Sequence, residues 1–164
     1  MKKLALLFVF ISGTVFAQDL EKPKSELILE IIKVENKFGY ANQDGDIVIS
    51  PQFNCTRGFH EGLAASKIDV DSKWGYIGQD GNFVIQEQFE DARHFSEGYA
   101  PVKSKDANDE TKWGYIDKEG KEVIKPQFDD VSLFTEGLAV VSIGDDRFYI
   151  NKEGYRVENP YEQD

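Results

Sequence analysis

Residues 112–137, KWGYIDKEGKEVIKPQFDDVSLFTEG, are the stretch of sequence that decides the fold. Residues 112–117 combine aromatic and β-branched side chains with a period of two, which predicts a β-strand. Gly120 ends an acid-Gly pair that predicts a hairpin turn, because glycine adopts positive φ without steric cost. Residues 121–125 form the return strand, and Pro126 ends it because proline cannot donate to a ladder. The stretch therefore predicts a β-hairpin.

The same pattern recurs along the chain. Lys-aromatic-Gly-Tyr is followed in each copy by acid-Gly, Val-Ile, Gln-Phe, Phe and Glu-Gly. The copies begin at Lys37, Lys73 and Lys112, in steps of 36 and 39 residues, and a polar insertion at 104–111 accounts for nearly all of the difference. A fourth, degenerate copy has Phe148 in place of the motif glycine. Degeneracy is expected in a terminal repeat that has no neighbour to cover.

Each copy predicts three short strands. Phe128, Val131 and Phe134 recur at a three-residue spacing, which suits a compact turn whose aromatic rings pack beneath a sheet. Residues 138–143 form the third strand, and residues 27–34 match it ahead of the first motif. The predicted fold is all-β, with about four tandem units of antiparallel three-stranded meanders and about twelve strands. The units form a stacked, twisted array or a partly closed barrel, and a β-propeller is the alternative.

These motifs resemble a known family. Lys-Trp-Gly-Tyr-Ile-x-x-x-Gly, then Val-Ile-x-Pro-Gln-Phe-Asp-Asp, then Phe-x-Glu-Gly-Leu-Ala is similar to the WG-containing repeat of bacterial proteins. The resemblance covers roughly residues 27–158, and the first copy departs from it by carrying Phe38 for the tryptophan. It implies a β-rich tandem-repeat protein, often exported or envelope-associated, with no catalytic motif and no general ligand.

The N-terminal segment predicts export. Lys2 and Lys3 precede an apolar run, and Ala17 offers a small residue at a cleavage site before Gln18. The run is too short to remain as a membrane span. We therefore predict an exported protein in the periplasm, at the cell surface or in the medium, with no membrane insertion after cleavage. The predicted division is a signal peptide at 1–17, a leader at 18–26, the repeat domain at 27–158 and a C-terminal tail at 159–164.

Composition narrows the possible partners and cofactors. The 164 residues carry 30 acidic and 19 basic side chains, a net charge of −11, which disfavours nucleic acid and anionic membrane surfaces. Cys55 is the single cysteine, so it cannot form an internal disulfide, and with two histidines it cannot complete a structural zinc site. We expect no cofactor and no metal. The acidic insertion at 104–111 is either a solvated loop or a weak calcium site.

The recurring aromatic residues are candidates for ligand binding. One interpretation is a repeated core contact, because aromatic side chains bury the most apolar area per residue. The other is an exposed stripe that stacks on the sugar rings of an envelope glycan. The candidate stacking residues are Trp74, Trp113, Tyr76 and Tyr115.

The titratable residues do not form a recognisable catalytic motif. A glutamate recurs just before a glycine in each copy, at Glu61, Glu97 and Glu136. This position favours hydrogen bonds that order the loop through backbone N–H groups, rather than a role as catalytic acids in glycosidic bond cleavage. His60 and His94 occupy different repeat positions. We predict that both are surface residues and that neither activates a thiol nucleophile. We predict a non-enzymatic secreted or periplasmic repeat module that mediates protein–protein interaction in the cell envelope. Carbohydrate binding is the alternative, and the oligomeric state is left open.

Overall fold

A computed structural model describes residues 28–159 of the chain. The predicted signal peptide and leader, together with residues 160–164, lie outside the described residues. The described part contains no helix, and so no helix long and apolar enough to cross a membrane.

The described chain consists of antiparallel strands in four sheets, none of which closes into a barrel. We call residues 28–53, 54–89, 90–128 and 129–159 units 1 to 4, because each of these ranges contains one sheet. The strands in chain order are β1 (Glu30–Val34), β2 (Lys37–Ala41), β3 (Ile47–Phe53), β4 (Cys55–Thr56), β5 (Ala64–Lys67), β6 (Trp74–Ile77), β7 (Phe83–Phe89), β8 (Asp91–Ala92), β9 (Ala100–Lys105), β10 (Thr111–Ile116), β11 (Glu122–Phe128), β12 (Asp130–Val131), β13 (Leu138–Ile143), β14 (Asp146–Asn151) and β15 (Arg156–Val157).

The predicted all-β repeat fold is confirmed, with one difference in the strand count. Twelve of the strands are the predicted meanders, and β1 is the predicted third strand ahead of the first motif. The connecting segments add β4, β8 and β12, each two residues long. These segments are not simple turns, because each return strand bends at one residue and then pairs with the next sheet. At the first bend the Asn54 N–H donates to Lys67 O at 2.9 Å.

The motif glycine is required by a bulge in the return strand. Trp113 pairs with Phe128 and Tyr115 with Ile124, so three residues of β11 lie opposite Gly114 alone. A Cβ atom on Gly114 would lie 2.5 Å from the carbonyl oxygen of Ile124. In unit 4 the short strand β15 pairs with β14 without a register shift. Phe148 stands at the glycine position of this degenerate copy, and the described pairs of β15 form no bulge opposite it.

The hydrophobic core lies between neighbouring units rather than within each one. Tyr40, Ile49 and Phe53 of unit 1 pack with Ala64 and Ile77 of unit 2, and two further clusters repeat this arrangement along the chain. Each small sheet buries one face against the next unit, as a stacked repeat array requires. We call each of these contacts between successive units a joint.

The acid-Gly hairpin turn of each unit lies against the preceding unit. A Cβ atom on Gly120 would lie 2.9 Å from Ile85 Cγ2, and one on Gly81 would lie 2.8 Å from Ile49 Cγ2. Gly45, the equivalent residue of unit 1, has no atom within 4 Å of such a Cβ position. The turn glycines are therefore joint residues, and unit 1 has the only such turn with no unit before it among the described residues.

Candidate interaction surface

The motif tyrosines tie each unit to the next. Tyr76 and Tyr115 are fully buried, and their hydroxyls donate to the carbonyl oxygens of Arg93 and Ser132 at 2.7 and 2.8 Å. Tyr40 donates in the same way to the Arg57 carbonyl oxygen at 2.6 Å. Burial raises the pKa of Tyr115 because the charged phenolate is poorly solvated there. The tyrosine is therefore a neutral hydrogen-bond donor that links two units.

The recurring phenylalanines pack on these tyrosines from the following unit. Phe134 is fully buried, and its ring centroid lies 4.8 Å from that of Tyr115. Phe95 lies 4.9 Å from Tyr76 in the same way. The predicted packing of aromatic rings beneath the sheet is therefore observed, and the sheet that they support belongs to the preceding unit.

Replacing Tyr115 by phenylalanine tests the tyrosine hydrogen bond. The change keeps the ring but leaves the partly buried Ser132 carbonyl without this donor, so we expect a loss of about 1 kcal/mol in the free energy of unfolding. Urea unfolding followed by circular dichroism measures it. Tyr155→Phe is the matched control, because Tyr155 is 70% exposed and should change stability very little. Equal stabilities of the two variants would contradict the assignment.

The recurring Glu-Gly pairs also act across the joints. The Glu97 carboxylate accepts a hydrogen bond from the Gly137 N–H at 2.9 Å and pairs with Lys152 Nζ at 3.3 Å. The Gly137 N–H and Lys152 together lower the pKa of Glu97. Glu61 makes the same contacts to Gly98 and Lys118 one joint earlier. The predicted hydrogen bonds to backbone N–H groups are confirmed for Glu61 and Glu97, and the N–H groups belong to the next unit.

The exposed aromatic stripe that glycan stacking requires is not formed by the candidate residues. Tyr76 and Tyr115 are completely buried, and Trp113 is 5% exposed. Trp74 is half-buried against the core, and the Arg57 guanidinium lies 4.9 Å above its ring. Three of the four rings are therefore core contacts, as the first of the two interpretations expects, because they fill the joints.

Two arginines at one repeat position, Arg57 and Arg93, contact the next unit. The sequence analysis did not predict these contacts. Arg57 pairs with Asp91 of the next unit at 3.1 Å, and Arg93 covers Trp113 at 4.5 Å while pairing with Asp130 at 2.9 Å. These cation–π and ionic contacts shield the tryptophans from solvent. The recurrence of arginine at one repeat position was the available signal.

His60 and His94 come together although they occupy different repeat positions. Their rings stack across the joint between units 2 and 3 with centroids 4.0 Å apart. Partial burial is the largest cause of the lowered pKa of His94, and the nearby charges of His60 and Arg57 lower it further. The Cys55 thiol donates a hydrogen bond to Asn54 Oδ1 at 3.7 Å. The acidic insertion at 104–111 contains its own hydrogen bonds, because the Asp106 carboxylate accepts from the backbone N–H groups of Asn108 and Glu110.

The histidine pair predicts a pH-dependent joint. Because the folded-state pKa of His94 lies below its ordinary value of 6.5, the unfolded chain takes up the proton first as the pH falls. The contribution of His94 to stability is therefore fully present above that pH and is lost progressively below it. Urea midpoints at pH 7.5 and 5.5 should fall further for the wild type than for His94→Gln. An equal fall would show that carboxylates alone carry the pH dependence.

Unit 4 has no following unit among residues 28–159. A cavity of about 990 Å³, the terminal concavity, lies on this unit. Tyr149 occupies the motif tyrosine position, and Val157 pairs with it as Ile124 pairs with the tyrosine of unit 3. Glu136 repeats the position of Glu97. The residues that line the cavity are Arg147, Phe148, Tyr149, Arg156, Val157, Glu158 and Asn159.

The stacked sheets and their joints define an all-β tandem-repeat protein. The family model of the WG containing repeat matches residues 38–69, 74–106 and 113–145. These matches cover more than half of the chain, so the chain belongs to the WG-containing repeat family, as its motifs predicted. Neither the curated proteins nor the solved structures give a match.

Proposed function

We propose that this chain is an exported, non-enzymatic module that binds a protein partner in the cell envelope. The terminal concavity is the observation that carries the proposal. In units 1 to 3 the equivalent surface is covered by the next unit, whereas in unit 4 the described residues leave it as an open cavity. A surface built to receive a folded β-unit suits a protein better than a small ligand.

The fate of the repeated residues supports a binding role. The motif lysines and tyrosines of units 1 to 3 and the Glu-Gly acids of units 2 and 3 are engaged in joints, as shown by Lys112 with Asp129 at 2.6 Å and by Glu97 with Gly137. These residues hold a rigid array and are not available as a set of reacting groups. The net charge of −11 favours a neutral or basic partner. Export rests on the predicted signal peptide at 1–17.

Site-specific photo-crosslinking tests the proposed function. Benzoylphenylalanine at Val157, beside the terminal concavity, should give a discrete crosslinked protein when the envelope fraction of the native bacterium is irradiated. The control places the same group at Asn108 in the exposed insertion, where no adduct is expected. Identical adducts at the two positions, or no adduct at Val157, would contradict the proposal. Secretion is checked by the presence of the cleaved chain in the envelope or the medium.

A further inference from the structure

We propose that His60 and His94 together form a site for a divalent transition-metal cation such as Zn²⁺ or Cu²⁺. The site lies at the joint between units 2 and 3, whereas the proposed function concerns the terminal concavity of unit 4. The two proposals therefore stand or fall separately. The ligands are imidazole nitrogens, a donor type that suits zinc, copper and nickel.

The meeting of the two rings is not a consequence of the repeat. His60 and His94 are the only two histidines of the chain. The position of His60 carries Ser96 in unit 3, and the position of His94 carries Leu133 in unit 4. Their rings nevertheless stack with centroids 4.0 Å apart and an angle of 21° between their planes. Because the other units form their joints without a histidine at either position, the pair is a candidate for a role of its own.

Both rings can reach a ligand. No side-chain hydrogen bond within residues 28–159 engages either ring, so the fold does not use their nitrogens. None of the buried side-chain atoms without a partner in this range belongs to a histidine, so solvent reaches the nitrogens of the half-buried His94. His60 is exposed. The joint therefore positions the two rings and leaves their nitrogens available for binding.

The charged groups beside the pair have partners of their own. Arg57 lowers the pKa of His94 through its charge, but its guanidinium pairs with the Asp91 carboxylate at 3.1 Å. The carboxylate of Glu61 pairs with Lys118 Nζ at 3.0 Å. The first pair moderates the repulsion between Arg57 and a bound cation, and the second keeps the glutamate in the joint rather than on the ion.

Two protein ligands define an exchangeable site rather than a structural one. Structural zinc has four protein ligands, and residues 28–159 contain no group of three or more His, Cys, Asp or Glu side chains that could hold a metal ion. Water would complete the coordination. One nitrogen from each ring must come within about 2.0–2.1 Å of the ion, so the stacked rings must tilt apart. Because one ligand belongs to unit 2 and the other to unit 3, a bound ion links the two units.

Calorimetric titration of the purified chain with ZnCl₂ tests the proposal. The protein carries no histidine tag, and excess Ca²⁺ is present because it occupies carboxylate sites in preference to imidazole. We expect one equivalent of zinc to bind, and His60→Ser and His94→Leu should each weaken binding about tenfold or more. These changes introduce the residues that units 3 and 4 carry at the same positions, so the fold should be kept. Cys55→Ser is the matched control and should bind zinc like the wild type.

Electron paramagnetic resonance with one equivalent of Cu²⁺ gives a second readout. We expect hyperfine coupling to two imidazole nitrogens in the wild type and the loss of this signature in either histidine variant. A chain that binds neither metal, or binding that survives both histidine changes, would overturn the proposal. Loss of binding in Cys55→Ser would overturn it too, because the thiol would then be a ligand. If His94→Leu fails to fold, the change at the exposed His60 decides the outcome.

Discussion

Gly114→Ala is expected to destabilise the protein by about 3 kcal/mol or more, which is a large share of the stability of a domain of this size. The added Cβ atom would lie 2.5 Å from Ile124 O and 2.8 Å from the backbone nitrogen of Pro126. Both neighbours are backbone atoms of a bulged strand, so neither can rotate away as a side chain would. The bulge must open or the strand pairing must shift.

Urea unfolding of Gly114→Ala measures this effect, and Gly58→Ala is its matched control. A Cβ atom on Gly58 would have only His60 Nε2 nearby, at 3.9 Å, so this variant should retain the stability of the wild type. If the two alanine variants have equal unfolding midpoints, the bulge does not explain the motif glycine. Phe148 occupies the glycine position in unit 4, where the two described pairs of β15 form no bulge.

Phe134→Ala is expected to cost about 3–5 kcal/mol, because it deletes a fully buried ring from the joint between units 3 and 4. The ring contacts Tyr115 and Tyr99, both of unit 3, at centroid distances of 4.8 and 5.6 Å. The cavity would lie between the units, so the cost should appear as weakened docking of unit 4.

Hydrogen exchange of the wild type and Phe134→Ala locates the loss. Amides of β13 and β14 should exchange faster, while those of β2 and β3 keep their protection. Phe134→Leu should give a smaller effect of the same kind, which keeps the test informative if the alanine variant fails to fold. Leu133→Ala, at a partly exposed neighbouring position, should change little. Uniform acceleration across all four units would contradict the joint model.

The unit boundaries were predictable because the repeat itself reveals them. Two-residue periodicity, hairpin glycines and the early third strand at 30–34 all appear in the structure. The strands β4, β8 and β12 could not be predicted, since two residues carry no periodic signal and each pairs only because the return strand bends into the next sheet.

The partners of the repeated side chains were harder to predict than the strands. A glutamate before a glycine indicates a backbone hydrogen bond, but local sequence does not reveal that Glu61 binds Gly98, 37 residues ahead. The same holds for Tyr76, whose hydroxyl donates to the carbonyl oxygen of Arg93 in the next unit. Contacts between units depend on how the sheets stack, and that stacking is set by all the joints together.

The most direct test of the joint model compares two glutamates at one repeat position. Glu97→Gln removes the charge that binds Gly137 and Lys152 across a joint, whereas Glu136→Gln removes the same charge from unit 4, which no further unit follows among residues 28–159. In dilute protein we expect a lower urea midpoint for Glu97→Gln and an unchanged midpoint for Glu136→Gln. Equal losses in the two variants would show that the repeated glutamate stabilises its own turn, and would contradict the joint model.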